Sequence, residues 1–417
     1  MKRMKRMKRM KRMKRMKLSG VEQSGVERSR ADRRDFSPPT LARLRASRKE
    51  AGRTSQGHKP MASSSAPRVL SSKEKEEDLA QRKEDTFTRW VFPKKFDPDI
   101  LMKHLSKSIE TGHMTNRGPA SQRLEEEARR RLQLGRHVVV PACSGSAALH
   151  AMVATYKMAG YDLSKGIIVS AFGFPPIVQG NWENVTITDI DSEHGGPILP
   201  PPGYPAPSVV CLVNPFGYLC DVQYYRDYCD KSGTLLWMDN AACPLTLLPD
   251  GRNVIDLADA ATVSLHETKV IGRGEGGLIL VLPELKETAL RAVSFGYDPD
   301  VPAAERSATY HRDASNWRMS DIAAATILMS WELNWASVVE YMEEHDAEIV
   351  DMPPFRRGAK GSIISCLLEP RQPRPDFEVK FYYYPMVPRS PESAETWKFF
   401  DGHQCRPFHA PGGPCPY

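Results

Sequence analysis

The stretch Ser264-Leu265-His266-Glu267-Thr268-Lys269-Val270-Ile271-Gly272-Arg273-Gly274-Glu275-Gly276-Gly277 sets one lysine between an apolar run and a glycine-rich turn. Before it, Ala261 to Leu265 reads as a short β-strand, and Leu278 to Leu282 reads as another after the turn. Lys269 is therefore expected in a tight, buried connection. A lysine on such an element is poorly solvated, which favours the free amine and makes it available for Schiff-base chemistry with a carbonyl. The glycines permit close backbone approach. No G-K-[ST] follows them, so the turn is not a P-loop. Taken alone, the pattern more often describes a glycine-rich hairpin whose lysine reaches out to water.

Around this stretch, strands and helices alternate. Strands are expected at Val138 to Val140, Ile167 to Val169, Val185 to Thr188, Val209 to Val213 and Leu235 to Asp239, with helices from Ser121, Ser146, Asp221 and Pro283 between or after them. That spacing implies a largely parallel sheet covered on both faces, an α/β fold. Ser320 is a good N-cap for the apolar run Ile322 to Leu328, whose helix should continue to about Glu344. Short strands follow at Ser362 to Leu368 and Val379 to Tyr384. The Pro- and Gly-rich end is expected to be loosely ordered. The resulting division is a basic N-terminal extension over 1–90, a large α/β domain over 91–310, a small C-terminal domain over 311–389 and a loose tail over 390–417.

The chain has 417 residues, 41% hydrophobic and 26% charged, an ordinary composition for a soluble globular protein. Residues 1–60 hold 21 Lys and Arg against 5 Asp and Glu, so the positive charge is concentrated there and the rest is mildly acidic. The Met-Lys-Arg repeat that opens the chain has no apolar face and no signal-peptide core, and it is expected to be disordered. Nucleic acid could bind only through this tail. Met61 is a plausible alternative start, and residues 1–60 are expected to be dispensable for the chemistry. No apolar run approaches transmembrane length on this reading, so no membrane partner is expected. The eight cysteines lack C-x-x-C spacing and read as reduced thiols, which points to a cytoplasmic location. Cys405, His403 and His409 lack the paired ligand spacing of a structural zinc site, and no metal is expected.

A Schiff-base lysine in an α/β protein suggests pyridoxal 5'-phosphate, which needs an anion site, a carboxylate for its ring nitrogen and something flat against the ring. Cys143-Ser144-Gly145-Ser146 follows a strand and opens a helix, where backbone N–H groups can hold a phosphate; Ser264 can add a hydroxyl. Asp239 ends a strand at the edge where parallel sheets bind ligands. Phe172 and Phe174, beyond the strand at Ile167, are the stacking candidates.

The order of these elements resembles the sugar-nucleotide aminotransferases of the DegT/StrS type. The quoted matches are Asn116-x-Gly118-Pro119, Gly145-Ser146-Ala147-Ala148-Leu149, Ser170-x-Phe172-x-Phe174, Asp189-Ile190-Asp191 and Asn214-Pro215-Phe216-Gly217. They continue with Asp239-Asn240-Ala241-Ala242, Ser264-x-His266-x-Thr268-Lys269 with Gly274-Glu275-Gly276-Gly277, and Asn316-Trp317-Arg318-Met319-Ser320-Asp321. The resemblance covers about residues 112–330. It implies a pyridoxal-phosphate transferase of fold type I, a large mainly parallel α/β domain plus a smaller α+β domain shortened here. It implies that Lys269 carries the cofactor and shuttles the proton, and that Asp239 pairs the ring nitrogen. Gly145, Ser146 and Ser264 would hold the phosphate, and Phe174 would stack on the ring. Asn316 would reach the cofactor of a neighbouring subunit, hence a homodimer with shared sites. The implied reaction moves an amino group from an amino acid, glutamate foremost, to a keto group of a nucleotide-activated deoxysugar.

Two features depart from the family pattern. Ala242 stands where many members carry Gln or His, so the contact to the cofactor's 3-hydroxyl must come from elsewhere or be lost. The helix expected after Phe381-Tyr382-Tyr383-Tyr384-Pro385 is replaced by the Pro-rich tail. These favour the alternative of a catalytically inert or regulatory protein that keeps the fold while its basic tail binds nucleic acid. Related dehydratases carry histidine in place of the lysine, and Lys269 argues against that chemistry.

Overall fold

In the computed structural model the described residues are 88–242, 244–298, 301–302, 304–380 and 384–409. The Met-Lys-Arg repeat, Met61, Phe381-Tyr382-Tyr383 and residues 410–417 lie outside them, and with them the expectations that concern those residues.

A seven-stranded sheet runs in the order β1-β7-β6-β5-β4-β2-β3. Its strands are β1 (Val138–Ala142), β2 (Ile167–Ser170), β3 (Val185–Thr188), β4 (Val209–Val213), β5 (Leu235–Asp239), β6 (Ala260–Ser264) and β7 (Gly277–Val281). Only β7 runs against its neighbours β1 and β6; the other pairs are parallel. Layers packed on both faces of the sheet explain why β4, β5 and β6 are buried at every position, and why β4 and the first four residues of β5 read as continuous apolar runs. Helices cover the two faces: α1 (Pro98–Thr111), α2 (Pro119–Arg131), α3 (Gly145–Met158), α4 (Val222–Ser232), α5 (Lys286–Ala292), α6 (Asp321–Glu344) and, further on, α7 (Ala394–Gly402).

Alternation along the strands divides the core in two. Val140, Ala142, Leu235, Trp237, Ala260 and Ile279 face α3 and α5, whose Ala148, Met152, Tyr156 and Ala289 close that layer. Val139, Leu236, Met238, Ala261 and Val263 face the other way, against Leu124 of α2 and Ile327 and Leu328 of α6. The period-two strand pattern thus fixes which side chains share a face with α3.

Ser320 caps α6 as its sequence suggests, its hydroxyl accepting from the Ala323 N–H at 3.2 Å. The next residue, Asp321, is buried and accepts from the Ser108 hydroxyl at 2.6 Å, the Ala120 N–H at 2.9 Å and the Ser121 hydroxyl at 2.8 Å, locking α1, α2 and α6 together. By length and composition α6 is apolar enough to cross a membrane, which corrects the reading that no run approaches that length. Half of its apolar window is buried inside the fold, where it packs on α1 and α2 as a core helix.

The chain end differs from its expectation. Residues 390–409 are not loose: α7 and β9 (His403–Pro407) form, and β9 pairs antiparallel with β8 (Cys366–Pro370). Asp189, the residue after β3, caps α7 through the Glu395 N–H at 2.9 Å and the Thr396 N–H at 2.7 Å. Phe399 and Phe400 bury against the core. The composition hid this, because the helix is short and its cap comes from a residue two hundred positions away.

Candidate active site

The C-terminal ends of β5 and β6, the start of β7 and the N-terminus of α3 meet at one corner. Asp239 is the register partner of Thr262, and Ser264 is the register partner of Gly277. Asp239, Thr262 and Ser264 lie on the sheet face covered by α3, because partners across strands share a face and residues two apart return to it. The glycines are required here for space. A Cβ on Gly145 would lie 3.1 Å from the Ser264 hydroxyl oxygen, and one on Gly277 only 2.3 Å from the Ser144 carbonyl oxygen. Ser144 caps α3, its hydroxyl accepting from the Ala147 N–H at 3.1 Å. Ser146 follows in the first turn, half-buried. Ser264, Gly145 and the positive end of α3 therefore converge on one point suited to an anion.

Lys269 is 7% exposed and Asp239 3%. Burial pushes the Asp239 carboxyl above the usual carboxylate range, while the Ala241 N–H, donating at 3.0 Å, and the nearby Lys269 charge pull it back. A carboxylate so placed is best stabilised by a cation in front of it. Thr262 has a buried hydroxyl with no hydrogen-bond partner, and the Asn240 amide nitrogen beside Asp239 is likewise unsatisfied. Natural cores leave few such groups, and they concentrate where something else binds.

The loop bearing Lys269 is tied down by its own backbone. The Lys269 N–H donates to the His266 carbonyl at 2.8 Å, the Gly272 N–H to the Lys269 carbonyl at 2.9 Å, and the Arg273 N–H to the Leu265 carbonyl at 3.0 Å. The His266 ring meets the Thr268 hydroxyl at 2.9 Å and Glu275 at 3.4 Å.

Of the two phenylalanines after β2, Phe172 turns into the core against Phe399, ring centroids 5.6 Å apart edge to face. It is thereby removed as a stacking candidate. Phe174 stays 42% exposed on the loop. Asn316 is exposed, accepting from Arg318 Nε at 2.9 Å, and Arg318 also donates to Asn116 Oδ1. Its neighbour Trp317 accepts from the Cys143 N–H at 2.8 Å, which seats the Asn316 loop against the turn that opens α3. A cavity of about 410 Å³ beside that loop is lined by Asn116, Arg117, Arg291, Tyr297, Arg318 and Met319 among others, and not by Lys269 or Asp239.

Residues 204–333, which hold Asp239, Ser264, Lys269 and Asn316, match the DegT/DnrJ/EryC1/StrS aminotransferase family. These residues are similar to that family. A curated relative, the GDP-perosamine synthase of Vibrio cholerae, is 28% identical over 238 residues, 54% of this chain and 60% of the relative. The matched part thus spans less than two thirds of that relative's length. Among solved structures, DesI in the presence of its TDP-sugar product aligns with a TM-score of 0.60 at 20% identity, covering 76% of this chain and 87% of DesI. A putative PLP-dependent aminotransferase from Bacillus cereus aligns with a TM-score of 0.59 at 16% identity, covering 77% of this chain and 95% of that one. At those identities the agreement establishes the fold.

The corner has supports that no local sequence pattern singles out. Asn214 donates to Asn240 Oδ1 at 2.7 Å, bracing the residue after Asp239. The two asparagines stand in quoted motifs, and their polarity at buried strand ends was the available signal. Gly277 offers a direct check on the corner. Gly277→Ala should force the Ser144 carbonyl away and cost about 1–3 kcal/mol, as overpacking does. Denaturant melts of the ligand-free protein should show the loss, and titration with pyridoxal phosphate should show weakened uptake.

Proposed function

We propose that the chain is a pyridoxal-phosphate-dependent aminotransferase that moves an amino group from an amino acid, glutamate foremost, to a keto group of a nucleotide-activated deoxysugar. The observation that carries the reading is the juxtaposition of a buried lysine, a buried carboxylate and a glycine-lined helix N-terminus at one sheet end. The residues fit the cofactor: Gly145, Ser146 and Ser264 would hold its phosphate, Asp239 its ring nitrogen and Phe174 its face, with Lys269 as the attaching amine. Pyridoxal phosphate, when bound, supplies an electron-withdrawing ring that acidifies the amino donor's Cα. Lys269 would take the proton from that carbon and carry it away, and in the second half of the reaction would deliver a proton to the former keto carbon of the sugar, its amine held near the site by the hydrogen-bonded loop. Asp239 keeps a cationic partner in place, and the buried walls exclude water. Asn316, exposed on its loop, would complete the site of a second copy, which makes the working unit a homodimer. The named activities of the relatives support the sugar substrate: one is a GDP-perosamine synthase and one was solved with a TDP-sugar product.

Purified full-length protein should take up pyridoxal phosphate with a visible absorption band that changes when glutamate is added. A panel of GDP- and TDP-linked keto-deoxysugars, followed by mass spectrometry of the product, should show the keto oxygen replaced by an amino group and a hydrogen on the same carbon. A protein that takes up no cofactor, or whose cofactor ignores every amino donor, would contradict the proposal and return the inert-scaffold reading.

A further inference from the structure

Lys94 lies far from Lys269 in sequence, on the arm that precedes α1, yet its side chain is 0% exposed. Its ammonium donates to the Glu267 carbonyl at 2.6 Å and stands 3.5 Å from both the Glu267 carboxylate and the Phe92 carbonyl. Glu267 is two residues before Lys269 and is the knot of its loop. Its N–H donates to the Gly274 carbonyl at 2.8 Å, its carboxylate accepts from the Gly274 N–H at 2.6 Å, and Arg273 donates to it at 3.0 Å. The arm itself is fixed from below, since the Lys95 N–H donates to Asn334 of α6 at 2.8 Å. On the same helix the Trp331 indole donates to the Ile271 carbonyl at 2.6 Å. The loop that carries Lys269 is therefore gripped at Glu267 by the arm and at Ile271 by α6.

A buried ammonium is costly unless its donors are matched, so this grip is not an incidental surface contact. A charged donor on a main-chain carbonyl is among the stronger hydrogen bonds a protein makes. We propose that Lys94 is a positioning residue for Lys269: by holding the Glu267 carbonyl and carboxylate, it fixes the loop that presents the Lys269 amine. The arm over residues 88–97 then belongs to the working site. The proposal rests on the pyridoxal-phosphate reading only for the function of the presented amine, not for the grip.

Two full-chain variants test it, Lys94→Met and Glu267→Gln, each read in two ways. Amide hydrogen exchange, measured without added pyridoxal phosphate, should show loop residues 266–276 of Lys94→Met losing protection about tenfold or more, the scale of a lost hydrogen bond to a charged group. The amides of β4 and β5 should be unchanged. With pyridoxal phosphate and borohydride, labelling of Lys269 mapped by peptide mass spectrometry should slow by about the same factor. Glu267→Gln keeps the carbonyl and removes only the carboxylate, so it should show the same local pattern at smaller amplitude; it also decides the matter if Lys94→Met does not fold. Protection lost evenly across the protein, or unchanged in the loop, would overturn the proposal. If the parent chain takes up no pyridoxal phosphate, the proposed function fails while the exchange experiment still decides the role of Lys94.

Discussion

Lys269→Ala should abolish the covalent adduct that borohydride traps between pyridoxal phosphate and the parent protein, and with it all amino transfer. The side chain is buried in a loop whose backbone hydrogen bonds run from His266 to Gly272, so truncation removes the amine without removing the frame that holds it. Non-covalent uptake should survive, because the Gly145, Ser264 and α3 corner does not depend on the lysine. Peptide mapping after reduction, with equilibrium dialysis for total uptake, separates the two effects. An adduct formed at the parent level in the variant would remove Lys269 from its assigned role. Free methylamine offers a further check, since a small amine in the emptied space should restore part of the turnover if proton transfer at the substrate carbon is what was lost.

Much of this arrangement was legible because parallel strands advertise themselves. Buried on both faces, β4 and the body of β5 read as unbroken apolar runs, and the residues that end β5 and β6, Asp239 and Ser264, fall where such sheets bind ligands. The Gly277 requirement was legible too, as a glycine beside the lysine loop. Less visible were the long-range polar contacts. Nothing in the local pattern around Lys94 announces that it will be buried under Glu267, and nothing in the Pro-rich end announces that Asp189 will cap α7. Local strain was half legible. Asn116, Arg117 and Phe216 adopt positive φ, and all stand in motifs rich in Asn, Gly or Pro, but the sequence could not say which residue of each turn would take the left-handed conformation. Phe172 shows the opposite difficulty: by residue type alone two aromatics two residues apart are equal candidates for a ring contact, and packing against Phe399 assigns Phe172 to the core.

Asp239→Asn should retain pyridoxal phosphate yet slow the single-turnover reaction with the amino donor by on the order of 10²-fold or more, the scale at which misplaced catalytic electrostatics are felt. Asparagine keeps the shape and can still accept from the Ala241 N–H, so the corner stays built. What it lacks is the charge that holds a cationic ring nitrogen in a site shielded from water. Without cofactor the same charge is a liability. Burial raises the folded-state pKa of Asp239, so its contribution to stability is full below the ordinary carboxylate range and is lost as pH rises through the shifted value. Ligand-free Asp239→Asn should consequently melt no lower than the parent at pH 8, and any advantage should fade as the pH falls towards 4, near the usual aspartate pKa. The two measurements together identify the role. A variant slowed but not destabilised carries its defect in the chemistry, whereas parent-like turnover with unchanged melting would leave Asp239 as an ordinary strand-end carboxylate.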